Sequence, residues 1–366
     1  MAQGQPANDQ IHTLQYLRAL AALLVVFNHC EQQVPGMPQL FPDELWASGV
    51  DIFFVISGFV ITGTTDRREG QSVRFLLERL ARIVPLYWLF TLLNAALMIG
   101  LPSLFRRSEF SLDHLLLSLA FVPHEHPVTG TFSPILRIGW TLLFEMHFYL
   151  LFAVAIFIDF RRRLTIVASV LIALALLGWV WMPASAGARF YVDSIALEFL
   201  FGVALAVAWR RGWLNLPPIL GFPMLIGGLA LLGVLGTLFG PEFKQVPRAL
   251  AWGLPATLAT AGVLVLHHYR WRTWRLGLLT GDASYALYLV HLFPITLMRV
   301  VWVRLGLPHE TIGASIGFHL ACIVVAVLCS YVVYWTFDKP VHQFLKGAIA
   351  RLAPGPGRGA MAMTRR

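Results

Sequence analysis

Arg18 and His29 stand eleven residues apart in an otherwise apolar stretch, Arg18-Ala-Leu-Ala-Ala-Leu-Leu-Val-Val-Phe-Asn-His29. On an α-helix, eleven steps leave their side chains within about 20° of one another and about 16 Å apart along the axis. An imidazole titrates near neutral pH, so His29 can take a proton from a hydroxyl and hand it on. Arg18 can hold an anion, or lay its stem along lipid with its head at the interface. His29, beside Asn28, can equally satisfy a hydrogen bond in a core. The pair alone leaves both roles open.

Four further groups of polar residues lie in or beside apolar runs. Trp140-Thr-Leu-Leu-Phe-Glu145-Met-His-Phe-Tyr149 puts Glu145 and Tyr149 at i and i+4, on one helix face. A carboxylate one or two turns inside an apolar helix needs a partner; His29 or an arginine can serve. Arg79 and Arg82 are three apart and can form a fork for phosphate oxygens, or simply mark a cytoplasmic loop. Ser284, Tyr288 and His291 open another apolar run, with Tyr288 and His291 on one face, and Glu198 sits in a run with no charge near it. Asp51 falls at a helix start, where the dipole favours a carboxylate. Ser57 and Gly58 allow a neighbouring helix to approach closely.

The elements that position these residues follow from composition. The 366 residues are 57% hydrophobic and only 13% charged, with a mean hydropathy of +0.69. Soluble domains carry roughly 25% charged residues, so lipid must solvate much of this surface. Backbone groups in hydrocarbon must bond internally, and runs of about twenty residues without alternation form helices rather than barrel strands. The expected fold is an all-α integral membrane protein with ten spans: 14–34, 47–65, 84–101, 140–158, 164–182, 191–209, 218–238, 249–267, 284–304 and 312–336. A run from Leu112 to Val122 is too short to cross and suits an interfacial or re-entrant helix.

The net charge of +9 sits at the ends of apolar runs, which points to membrane topology and away from nucleic acid. With both termini on the cytoplasmic side, twenty of the 28 Lys and Arg residues fall inside. The inside set includes Arg67, Arg68, Arg74, Arg79, Arg82, Arg161 to Arg163, Arg210, Arg211, Arg270, Arg272 and Arg275. It also includes Arg18 and the tail residues Lys339, Lys346, Arg351, Arg358, Arg365 and Arg366. The outside set is Arg106, Arg107, Arg137, Arg189, Lys244, Arg248 and Arg304. The first thirteen residues carry no Lys or Arg, which is unlike a secretory signal, so the first apolar run is expected to remain in the mature chain. Cys30, Cys322 and Cys329 all lie in apolar runs and read as small apolar fillers. Segment 102–139, the longest outside, holds Asp113, His114, His124, Glu125 and His126, and such a length is more often functional than idle. A membrane domain is expected over 1–341 and a basic, disordered cytoplasmic tail over 342–366.

Taken in order, the Arg18-to-His29 spacing, Gly49-to-Phe59, the Arg79/Arg82 pair, Trp140-to-Tyr149 and Ser284-to-His291 resemble the acyltransferase-3 family of membrane O-acyltransferases, in particular its exopolysaccharide acetyltransferases. The resemblance covers roughly residues 11 to 341. It implies a ten-helix fold in a bacterial inner membrane and acyl-CoA, with acetyl favoured, as a donor on the cytoplasmic side. It implies a glycan or lipid-linked sugar hydroxyl as acceptor, and neither a tightly bound cofactor nor a metal. It points to His29 as the catalytic histidine and to Arg18, Arg79 and Arg82 as motif residues. Trp140, Tyr149, Ser284, Tyr288 and His291 are then expected to line the substrate site. Some relatives carry a C-terminal extracytoplasmic hydrolase-like domain; none is expected here, so acceptor selection is expected to rest on the loops.

On this reading His29 removes the acceptor's proton, the alcohol attacks the thioester, and Glu145 orients or charge-stabilises the imidazole. Direct transfer and an acyl-enzyme relay both fit. Two other classes remain: a secondary transporter using an intramembrane Arg/His/Glu relay, against which stands the lack of a visible internal repeat, and a non-catalytic subunit of an export complex. The orientation is directly testable: reporter fusions after Arg163 and after Arg211 should read cytoplasmic and one near Pro127 should read external, and an external signal at Arg163 would reject the arrangement.

Overall fold

The computed structural model of the chain describes residues 11–31, 33–40, 47–65, 71–102, 110–239, 247–269 and 273–352. Of the cations used for orientation, Arg67, Arg68, Arg106, Arg107, Lys244, Arg270, Arg272, Arg358, Arg365 and Arg366 lie outside these residues. The described part is helical: α1 His12–Cys30, α2 Gly49–Thr65, α3 Ser72–Gly100, α4 Leu112–Leu119, α5 Trp140–Ala155, α6 Phe160–Val180, α7 Ala186–Val192, α8 Ala196–Arg210, α9 Pro218–Phe239, α10 Leu254–His267, α11 Arg275–Asp282, α12 Ser284–Val290, α13 Leu292–Arg304, α14 Ile312–Val333 and α15 Lys339–Leu352. Single π-helical turns occupy Ala249–Gly253 and Tyr334–Asp338.

Among the described residues, seven helical stretches are long and apolar enough to cross a membrane: Ser72–Gly100, Arg137–Ala155, Phe160–Val180, Ala186–Arg210, Pro218–Leu238, Ala249–His267 and Ile312–Leu352. The bent pair α12 and α13 makes an eighth, and α2 is a shorter apolar helix. The helices α1 and α2 overlap the first two expected spans, but α1 is not among the stretches long and apolar enough to cross and α2 is shorter than such a stretch, so seven or eight of the ten expected spans are found among the described residues. Two boundaries differ from expectation. The segment around Arg74, Arg79 and Arg82, read as a loop, is the first half of α3, because the helix runs straight through Pro85. The boundary drawn at 341 falls inside α15, which is helical to Leu352; 353–366 lie outside the described residues.

The chain divides into two compact units, Met1–Val60 with Phe201–Ser330, and Ile61–Leu200 with Tyr331–Arg366. In the first, α1 is packed on two sides. Leu14, Leu17 and Ala21 join Ile52, Val55 and Val263 in one cluster, and Ala22, Val26 and Cys30 join Phe318, Cys322 and Ala326 in another. The cysteines are unbridged; Cys30 and Cys322 act as small buried apolar groups, as their setting in the sequence suggests, and Cys329 is partly exposed. The approach of α8 to α2 needs glycine: a Cβ on Gly202 would collide with the Val55 carbonyl and the Gly58 Cα. Asp51, fully buried, is held by a guanidinium as well as by its helix start. Arg248 Nε and Nη2 donate to its two oxygens at 2.9 Å each, and the same guanidinium lies 4.5 Å over the Trp252 ring.

In the second unit, Arg163 departs most from expectation. Read as one of three loop cations, it is fully buried. Its guanidinium donates to the carbonyls of Ala155, Ile156 and Ile158 at the end of α5 (3.1–3.3 Å) and to Thr65 at the end of α2 (2.9 Å). A cation at two helix C-termini meets the negative ends of both dipoles and supplies donors to carbonyls that have none in their own helix. The short apolar run forms α4, capped by Ser111, whose side chain accepts from the His114 N–H. His114 and Ser118 are buried on one face, while Leu112 and Leu116 are exposed on the other.

His114 lies in a cluster of three imidazoles, with His124 Nε2 at 2.8 Å from His114 Nδ1 and the His126 ring 5.0 Å away. Burial, and then His124 and His126, push the His114 pKa down to about 4, and the His126 pKa is lowered by the same kinds of cause. A histidine whose folded pKa is depressed stabilises the fold fully above its unfolded value of about 6.5, and loses that contribution as pH falls toward the folded value. Lowering the pH from 7 to 5 should therefore lower the amide protection factors of 112–126, measured as exchange relative to the intrinsic rate at each pH, and His114→Gln should flatten that response; protection factors in 112–126 that do not change with pH in the unsubstituted chain would contradict the assignment.

Candidate functional site

The polar residues singled out by sequence fall into two groups, one in each unit. In the first unit, α1 is continuous from His12 to Cys30, so Arg18 and His29 do share a face. Arg18 Nη1 donates to Gln15 Oε1 at 3.5 Å on the same helix. His29 Nδ1 lies 2.8 Å from the Val25 carbonyl oxygen, four residues back. A carbonyl only accepts, so Nδ1 carries the hydrogen and the neutral ring keeps its lone pair on Nε2. His291 is built the same way: its Nδ1 donates to the Leu287 carbonyl at 3.2 Å. Its Nε2 has no hydrogen-bond partner among the described residues, although the side chain is completely buried. The two ring centroids are 4.9 Å apart at 62°. Two proton acceptors thus stand edge to face.

His291 owes its place to a break. Between α12 and α13 the axis turns by 49°, and His291 is the residue at the turn. Pro294 has no N–H to offer the Val290 carbonyl and its ring crowds that carbonyl, which is sufficient cause for the kink. Tyr288 is buried one turn earlier, 6.1 Å from the His291 ring and 6.2 Å from Phe53. Ser284 is fully buried, and its hydroxyl has no partner among the described residues. Sequence reasoning passed over a second buried pair nearby. Glu31, two residues after His29, lies 3.6 Å from His319 Nε2 and accepts from the Leu40 N–H at 3.2 Å. Glu31 follows directly on His29 and Cys30, an acid at the very end of an apolar run, and that position is the mark that could have found it.

In the second unit, Glu145 and Tyr149 stack as their spacing requires, and the Tyr149 hydroxyl donates to Glu145 Oε1. One partner of this carboxylate is thus on its own helix. Arg79 rests its guanidinium 5.9 Å over the Tyr149 ring and 5.6 Å over Phe75, and Trp140 meets Phe144 edge to face. Glu198 is fully buried in the first turn of α8, where the helix dipole favours it. Arg82 is committed: its Nη1 reaches both oxygens of Asp338, 256 residues on, at 3.0 and 2.9 Å. Asp338 closes the π-helical turn Tyr334–Asp338, and its side chain is only 3% exposed. Arg79 and Arg82 line one cavity of about 340 Å³ with Arg74, Glu78, His342 and Lys346.

A family model described as "Acyltransferase domain" matches residues 11–335. The chain is 36% identical over 320 residues to the exopolysaccharide production protein ExoZ of Rhizobium meliloti (strain 1021), which covers 86% of this chain and 95% of that protein. It is 28% identical over 218 residues to the peptidoglycan O-acetyltransferase OatA of Listeria monocytogenes, covering 53% of this chain and 33% of that one. No solved structure matches it.

The Arg82–Asp338 pair makes a specific demand on stability. Arg82→Ala would leave a buried carboxylate without its cation, at a cost of up to about 3 kcal/mol given that Arg82 is itself partly exposed. The double substitution Arg82→Ala with Asp338→Asn should recover much of the thermal stability in detergent. An Arg82→Ala chain as stable as its parent would show that the pair contributes nothing.

Proposed function

The chain belongs to the acyltransferase-3 family of membrane O-acyltransferases, and from that premise we propose that it transfers an acetyl group from acetyl-CoA to a sugar hydroxyl of an exported or cell-surface polysaccharide, with His29 as general base. Its relatives support the class of acceptor: one is an exopolysaccharide production protein and another a peptidoglycan O-acetyltransferase. The wider arrangement we propose is ten spans in a bacterial inner membrane with both termini in the cytoplasm. Arg79 and Arg82 meet the donor's phosphates on that side, and Arg18, near the start of α1, is a further substrate-binding cation.

The observation that carries the assignment of His29 is its 2.8 Å hydrogen bond to the Val25 carbonyl. That bond fixes Nε2 as the acceptor before any substrate arrives. The acceptor's O–H proton passes to Nε2 as its oxygen attacks the thioester carbonyl carbon. The new C–O bond forms, the C–S bond breaks, and the departing thiolate takes the proton from the imidazolium. His291, 4.9 Å away between centroids, offers a second Nε2 that can share the proton while it is held. Ser284 and Tyr288, in the helix that ends at His291, present hydroxyls suited to a sugar. Glu145 is assigned to positioning, since it holds the Tyr149 hydroxyl and the Tyr149 ring underlies Arg79.

His29→Gln keeps a hydrogen-bonding side chain but removes the base. It should lower kcat by a factor of about 10² to 10⁴, with expression, detergent stability and acetyl-CoA binding close to the parent. Reconstituted vesicles given labelled acetyl-CoA and candidate glycans provide the assay. Brisk transfer by purified His29→Gln would remove His29 from the mechanism, and movement of unmodified glycan without label would make the chain a transporter.

A further inference from the structure

The cavity on α3 contains more than the arginine pair. Its other wall belongs to α15, from which His342 and Lys346 reach it one turn apart on the same face. The two helices are joined at an irregularity. Pro85 gives no N–H to the Ala81 carbonyl, and His342 Nδ1 stands 3.5 Å from that oxygen and donates to it. The imidazole is thereby fixed with Nε2 as the atom left for other partners.

The charges lining the cavity are unevenly paired. Arg74 is paired with Glu78 at 3.0 Å, and Arg82 with Asp338. Among the described residues no carboxylate pairs with Arg79 or Lys346. The Arg79 Nε is buried and has no hydrogen-bond partner there. A cation placed only to set membrane orientation would point its donors at water or headgroups. A buried guanidinium donor without an acceptor is unfavourable until a ligand supplies one. The space, about 340 Å³, lies at the lower end of the range for small-molecule sites.

We propose that this cavity seats the phosphoadenosine end of coenzyme A, with its pyrophosphate and ribose phosphate, and that His342 and Lys346 of the C-terminal helix are part of that seat. The proposal rests on the reading of acyl-CoA as donor. Arg79 supplies the planar donor group, Lys346 the mobile charge at the mouth, and His342 a hydrogen-bonding edge held in place by Ala81. Arg82, tied to Asp338, sets the spacing of the two walls as well as facing the phosphates. Anionic lipid headgroups share the phosphate chemistry, so the test includes them.

The full chain is placed in phosphatidylcholine nanodiscs, and coenzyme A binding is measured by calorimetry alongside initial rates with two donors: acetyl-CoA and acetyl-pantetheine, which lacks the phosphoadenosine end. Lys346→Gln, on an exposed position, should raise KM for acetyl-CoA about tenfold, the loss of one charge-assisted contact. His342→Gln should act in the same direction. KM for acetyl-pantetheine should move by less than about twofold in either variant, and Arg351→Gln, on the same helix but not lining the cavity, should match the parent with both donors. Equal shifts for the two donors, or no shift for acetyl-CoA, would overturn the seat while leaving the donor reading intact. A fall in binding of added phosphatidylglycerol with unchanged coenzyme A affinity would overturn it in favour of a lipid site. Failure of the unsubstituted chain to bind coenzyme A at all would remove the donor reading and the seat with it.

Discussion

A charge taken out of water must be met by opposite charge or by a full set of hydrogen bonds, because the desolvation of an unpaired ion exceeds anything local packing returns. This constraint organises both units. Asp51 is fully buried and bound two-to-two by Arg248; Asp338 is almost fully buried and bound by Arg82. Each pair joins helices about two hundred residues or more apart in the chain. Arg163 meets the same demand with carbonyls in place of a carboxylate, gathering the ends of α2 and α5 onto one guanidinium. Removing any one of these partners strands the other, so their importance lies in what their loss would expose.

The same logic explains where the helices are irregular. Both π-helical turns adjoin a buried Arg–Asp pair: one follows Arg248 and the other ends on Asp338. The two prolines set within helical stretches near polar residues each leave a carbonyl without its helical donor. At Pro85 the Ala81 carbonyl is taken up by His342, and at Pro294 the axis bends and delivers His291 to the side of His29. In lipid, a departure from the regular hydrogen-bond ladder persists only where side chains, water or ligand satisfy what it frees. Irregular backbone and functional polar groups therefore collect at the same places.

Within each unit the chemistry is simple. In one, two histidines each surrender Nδ1 to a backbone carbonyl and are left as acceptors. In the other, four cations, Glu78 and the His342 imidazole line a cavity whose charges are only partly paired. Acyl transfer from a polyanionic thioester to an alcohol asks for both kinds of group, a base for the hydroxyl and cations for the phosphates.

The sequence by itself determined the helical, lipid-suited character of the chain and singled out the polar residues set in its apolar runs. Apolar runs of about twenty residues can satisfy their backbone in lipid only as helices, and a histidine or carboxylate inside such a run is too costly to be incidental. The local relations were legible for the same reason: Arg18 with His29 on one face, and Glu145 with Tyr149 one turn apart, follow from 3.6 residues per turn. Tertiary structure decided the partners. Nothing local links Arg82 to Asp338, Asp51 to Arg248, or His29 to His291, because each contact spans hundreds of residues and depends on how helices pack. Arg163 looked like its two arginine neighbours, and only the convergence of two helix ends made it a buried cap. Residue type and period set what a side chain can do, and packing chooses what it meets.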